Sequence, residues 1–209
     1  MRSKLLLLTI IFSISIISCV NFKAFYNLKL YEVERPANAK ERYGEQTITK
    51  LMEKGRTKYS YEDKLLKIIW FPTYSRFNFV LTNKTEHSFK IIWDEASYVN
   101  VNGLSNRVTH LGVNYIDINK SQPPTTIIRS STISDAVMPT ENVYYVLYEG
   151  WKESPLFPNQ GFSNDGGSSK NSIYKGRKVQ IMLPIQIENV VNEYIFSFEI
   201  EDIKYQAVN

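Results

Sequence analysis

The sequence predicts an all-β fold, an antiparallel two-layer β-sandwich of about eight strands preceded by an N-terminal signal helix. Three observations carry that expectation. Short apolar runs alternate at a period of two residues: Phe77, Phe79 and Leu81 against Asn78, Val80 and Thr82, and later Val179, Ile181, Leu183, Ile185 and Ile187. Turn signals such as Asn102-Gly103 and Pro123-Pro124 punctuate them. No long helical pattern lies between the runs, which argues against a βαβ sheet.

The chain opens on Arg2 and Lys4, followed by an apolar run from Leu5 to Ile17 broken only by Thr9, Ser13 and Ser15. A bilayer-spanning helix needs roughly 18 or more apolar residues, so this run has the length of a signal-peptide core. It ends in Ile16-Ile17-Ser18-Cys19, which resembles the lipobox of bacterial lipoproteins. The resemblance implies cleavage after Ser18, thioether lipidation of Cys19 and acylation of the new amino group. Residues 1–18 are then the signal peptide and 19–27 a lipidated tether. Each acyl chain adds about 0.8 kcal/mol per buried methylene, so such an anchor holds a membrane without help from the folded domain. Val20 and Asn21 supply no aspartate after the cysteine. In some Gram-negative bacteria that aspartate resembles an inner-membrane retention signal, so the outer membrane is the preferred destination.

Residues 28–209 form the expected sandwich domain, about 180 residues and enough for one core. The chain carries 25 basic and 21 acidic residues. Without Arg2 and Lys4 the count is 23 against 21, or +2, and the lysines are scattered among acids, which gives no footprint for nucleic acid. Cys19 is the single cysteine, so no disulfide can form within the chain and stability must come from burial. Fourteen Tyr, eleven Phe and three Trp supply the material, because aromatic side chains bury large areas and suit pleated strands.

Within the domain, Leu28 to Val33 reads as an imperfect first strand stopped by Pro36. From Ala37 to Gly55 the spacing of Ile48, Leu51 and Met52 predicts a turn or two of helix ended by Gly55. Leu65 to Phe71 reads as a buried strand ended by Pro72. Residues 77–82 and 89–93 read as antiparallel neighbours joined by the polar turn Asn83 to His87. Asn102-Gly103 predicts a tight hairpin. Strands follow around Thr126 to Ile128, up to Pro139, and from Val143 to Tyr148. Residues 155–172, rich in Pro, Gly, Asn and Ser, read as a flexible loop. The last two runs form a C-terminal hairpin turning around Asn189 to Asn192.

The stretch from Phe77 to Pro139, with Trp93-Asp94-Glu95-Ala96-Ser97-Tyr98-Val99, Asn102-Gly103, Arg107-Val108 and His110, resembles bacterial envelope lipoproteins carrying an immunoglobulin-like domain. The resemblance covers about a third of the chain and implies a fold, with no activity attached.

Candidate chemistry is sparse. His87 and His110 have no companion at metal-binding spacing, so no metal or cofactor is expected. Asn164-Asp165-Gly166-Gly167 lacks the spaced acids of a calcium loop. Asp94, Glu95, Arg107, His110 and Asp135 can converge at one end of the sandwich, with Asp94 and Arg107 as a structural cross-strand ion pair. No Gly-x-Ser-x-Gly elbow, phosphate loop, dinucleotide fingerprint or zinc-protease helix is present. Trp151, Tyr148 and Phe157, with Tyr144 and Phe162, can form an aromatic platform for sugar or peptide.

The expectation is therefore a membrane-anchored, non-enzymatic binding or scaffold domain with a protein partner in the cell envelope. The alternatives are a glycan- or peptide-binding module around Trp151 and, with least support, an envelope hydrolase using Asp94, Glu95 or His110. Replacing Cys19 with alanine is expected to move the protein to the soluble fraction and abolish labelling by a fatty-acid probe; persistent labelling would refute the anchor.

Overall fold

A computed structural model describes residues 21–36, 39–158 and 173–208. The signal peptide, Cys19 and most of loop 155–172 lie outside them. The described chain is all-β and antiparallel, and its strands run in the order β1 (Asn21–Glu34), β2 (Thr47–Glu53), β3 (Arg56–Glu62), β4 (Leu66–Pro72), β5 (Phe77–Asn83), β6 (Phe89–Ile91), β7 (Ser97–Val99), β8 (Ser105–Thr109), β9 (Thr125–Ile127), β10 (Thr132–Pro139), β11 (Val143–Val146), β12 (Gly150–Glu153), β13 (Lys178–Ile187) and β14 (Val190–Val208). One short helix, α1 (Ala39–Tyr43), follows β1.

Twelve strands make one ladder in the order β1-β14-β13-β7-β8-β10-β5-β4-β3-β2, with β6 beside β13 and β9 beside β6. The ladder curls until β14 faces β3, β4 and β5, so the body is nearly barrel-like where two separate layers were expected. Trp70 of β4 packs at 5.1 Å from Phe196, Phe77 of β5 at 4.9 Å from Phe198, and Tyr59 of β3 at 5.7 Å from Phe198. The walls are continuous through β8 and β10, which share only the pairs Met138 with Thr109 and Pro139 with Val108.

Alternation places the core as the sequence suggests. Leu66, Ile68 and Trp70 of β4 and Phe77, Phe79 and Leu81 of β5 point inward, as do Val179, Ile181, Leu183 and Ile185 of β13. The faulty alternation of β1 has a cause: register shifts at Asn27/Leu28 and Leu30/Glu32 leave Tyr31 unpaired, which lets Leu30 and Val33 both face the core.

Four expectations are corrected. The helix expected within 37–55 is, over 47–53, the edge strand β2, and it turns at Lys54-Gly55, both with positive φ, directly into β3. Ile48, Leu51 and Met52 are all exposed, so their spacing reflects no buried face. Strands β5 and β6 are not neighbours, because the turn after Asn83 carries the chain from β4 and β10 across to β13 and β9. The expected tether shortens: from Asn21 to Asn27 the chain pairs with Asp202 to Val208, and Tyr26 stacks on Phe157 at 4.8 Å. The C-terminal turn falls at Glu188-Asn189, between Ile187 and Val190, and Glu188 has positive φ.

At the end of the core near Asp63, polar groups replace aromatics. Oδ2 of the fully buried Asp63 side chain accepts from the hydroxyls of Tyr61 (2.9 Å) and Tyr194 (3.0 Å) and lies 3.6 Å from the Arg35 guanidinium, while Oδ1 accepts the amides of Leu65 and Leu66. Burial, and then the neighbouring Asp63 charge, push both tyrosine hydroxyls above their ordinary range and keep them as donors. Asp63→Ala strands these donors and a cation, and is expected to lower unfolding free energy by roughly 3–5 kcal/mol in urea titration. Tyr194→Phe, which removes one hydroxyl, should cost about 1 kcal/mol. Equal costs for the two variants would show that Asp63 does not organise this end of the core.

Candidate functional site

Strands β11 and β12 pair only with each other, outside the large ladder. Their hairpin displays Tyr144, Tyr145, Leu147, Tyr148 and Trp151 to solvent, with Tyr148 at its tip 96% exposed. Tyr148 also holds φ at 67°, a conformation that a bulky L-residue adopts at a cost. Trp151 is 42% exposed and meets Tyr145 edge-on at 5.5 Å and Tyr115 at 5.9 Å.

The base of the hairpin is fixed. Glu153, the last residue of β12, accepts hydrogen bonds from Ser75, Arg76 and Tyr115, and the Ser154 amide donates to Asn142 O. Burial alone would raise the Glu153 pKa. The Ser75, Tyr115 and Arg76 bonds, with the Arg76 charge, outweigh it and leave the carboxyl below its ordinary value.

Tyr115 belongs to the segment 110–123, which joins β8 to β9. Arg107 and Asp94 lock this loop from behind. Arg107 donates to Asp94 Oδ1 at 2.7 Å and to the carbonyls of Asn119 and Lys120; Asp94 also accepts from the Ser121 hydroxyl and, at 3.0 Å, from the Gln122 amide. These contacts, the Ser121 bond foremost, hold the Asp94 pKa below the carboxylate range.

His110 and Asp135 sit where β8 leaves the ladder. Asp135 Oδ1 accepts the amides of Leu111 and Ala136, standing in for a strand partner, and Oδ2 lies 3.1 Å from His110 Nδ1. The His110 ring is stacked on buried Trp93 at 4.2 Å, only 3° from parallel. Since a carboxylate accepts, Nδ1 is the ring nitrogen that donates to Asp135. The pair shares its residue types with the histidine–carboxylate part of a hydrolytic triad, and among the described residues no hydrogen bond joins a hydroxyl to its Nε2. His110 lines both a cavity of about 170 Å³ against Thr109, Ala136 and Met138 and an open cleft of about 550 Å³ inside the loop.

The residues singled out from sequence thus separate. Asp94 joins Arg107, His110 joins Asp135, and Glu95 is exposed. Trp151 and Tyr148 share the hairpin, whereas Phe157 is 8% exposed, stacked in the core on Tyr26 and packed against Phe77, so it leaves the platform. Ser75, Arg76, Tyr115, Gln122 and Glu153 escaped sequence reasoning, because their partners lie dozens of positions away and no local spacing announces them. His87 is exposed beside Glu188. Among the described residues no group of three metal-ligating side chains gathers, and no helix is long and apolar enough to cross a membrane. Comparison of the chain with protein-family models, with curated proteins and with solved structures finds no match.

The depressed Glu153 pKa sets a pH window for the hairpin. Its contribution is complete above the ordinary glutamate value of about 4.3 and is lost as pH falls through the lowered folded value. Acid titration of the Trp151 emission, taken as the difference from Trp151→Phe, is expected to show a transition below that ordinary value. Glu153→Gln should remove it; an unchanged transition would assign it to another group.

Proposed function

We propose that this chain is a lipid-anchored bacterial envelope protein whose β-body binds a protein partner through the β11–β12 hairpin, without catalysing a reaction. The observation that carries the reading is the exposed cluster of Tyr144, Tyr145, Leu147, Tyr148 and Trp151 on a hairpin immobilised at Glu153. Exposed aromatics on a rigid mount supply large contact area at low entropic cost, and Tyr and Trp are the residues most enriched at the energetic centres of protein interfaces. The anchor at Cys19, with the outer membrane as its preferred site, rests on the lipobox. The immunoglobulin-like assignment belongs to the same reading. The facing of β14 on β4 and β5 favours it, and the join through β8 and β10 counts against it.

A photo-crosslinking amino acid at position 148 of the full-length anchored protein is expected to give a discrete adduct in cells. Adding Leu147→Ser should weaken capture about tenfold while leaving stability within about 0.5 kcal/mol, as surface substitutions do. Absence of an adduct, or one unaffected by Leu147→Ser, overturns the reading.

A further inference from the structure

We infer that the cleft enclosed by residues 110–123 is a binding site for a neutral polyhydroxylated ligand, a monosaccharide or short glycan. It is independent of the hairpin reading, since its polar groups sit on a different element.

Three features define the ligand class. First, a buried polar side chain at the site lacks a partner. Gln122 Oε1 is fully enclosed and makes no hydrogen bond, although the Gln122 amide nitrogen is fixed at 2.7 Å on Val108 O. A buried carbonyl oxygen left unpaired is costly, and a donor arriving from the cleft that Gln122 lines recovers that cost after a small rotation of the amide. An acceptor of this kind calls for a hydroxyl or amide donor.

Second, the lining is electrically balanced. Its one lysine, Lys120, is paired with Asp117 at 2.7 Å, and neighbouring Asp94 is satisfied by Arg107, Ser121 and Gln122. An ammonium ligand therefore finds no unpaired carboxylate. The exposed Asp117–Lys120 pair offers an acceptor and a donor side by side, as vicinal hydroxyls require.

Third, Leu111, Val113 and Pro123 alternate with these polar groups, matching the C–H faces of a sugar ring, and about 550 Å³ lies in the usual range for small-molecule sites. The Asp94–Arg107 lock holds the loop in place before any ligand arrives, so little ordering entropy is lost on binding.

The test is saturation-transfer-difference NMR and calorimetry on the full-length protein with a panel of neutral hexoses, N-acetylhexosamines and their disaccharides. At least one member is expected to bind. Leu111→Trp fills the cleft from an exposed side chain and leaves the Leu111 amide on Asp135, so it should weaken that binding at least about tenfold with the thermal midpoint retained. Trp151→Ala should leave it unchanged. No binding by any member overturns the proposal, as does binding that survives Leu111→Trp. Binding lost only in Trp151→Ala also overturns it, placing the sugar on the hairpin instead.

Discussion

Contact between aromatic rings across the two facing walls is the constraint on which the structure depends. Trp70 alone touches Phe77, Phe79, Phe196 and Phe198, with ring centres between 5.1 and 6.4 Å apart and most planes steeply inclined. Edge-to-face pairs of this kind add about 0.5–1.5 kcal/mol each beyond their buried area. The ladder could not hold the walls together by itself, since β8 and β10 share only two residue pairs. A disulfide cannot do so either, because the single cysteine lies at position 19. Side-chain packing therefore closes a body that backbone pairing leaves nearly open.

Where the ladder is thinnest, the backbone has polar groups without strand partners, and side chains take their place. Asp135 accepts the amides of Leu111 and Ala136, Asp94 accepts that of Gln122, Arg107 caps two carbonyls of the loop, and Gln122 donates to Val108. The same substitution explains why charged and amide groups gather there without any catalytic requirement: buried peptide groups must be paired. Thr109 Oγ1 and Gln122 Oε1 are what this arrangement leaves over. The site proposed at the cleft and the closure of the fold thus draw on one set of atoms.

Strand periodicity was legible wherever a strand has one buried face, as in β4, β5, β13 and β14. It failed where that condition fails. Every residue of β2 is exposed, so Ile48, Leu51 and Met52 carried no information about period, and the turn chemistry of Lys54-Gly55 was the better signal. The β5–β6 neighbourhood was misjudged because a polar turn does not say whether the chain returns in the same wall or crosses to the other. Phe157 illustrates a further limit: composition around residues 155–172 reads as loop, yet Leu156 and Phe157 are buried in the core. The Asp94–Arg107 contact was legible from its hairpin spacing, whereas its role in bracing residues 119–122 follows only from the fold. Glu153 and Arg76, separated by 77 positions, have no sequence signal at all.

Tyr115 links the two candidate surfaces. Its hydroxyl donates to Glu153 at the root of the hairpin, its ring meets Trp151 edge-on, and it packs with Val113 against Ile118, Met138 and Val143. A displacement of the hairpin must therefore either break the Glu153 hydrogen bonds or carry residues 113–115 with it. Those residues are held at the other end by the Arg107 and Asp94 lock, which is itself rooted in β8. The proposed partner contact at Tyr148 and the proposed ligand contact inside the loop therefore fall on one braced unit. The exposed tip can be altered with little effect on the fold, while the polar anchors behind it are shared by both surfaces and by the seam of the barrel.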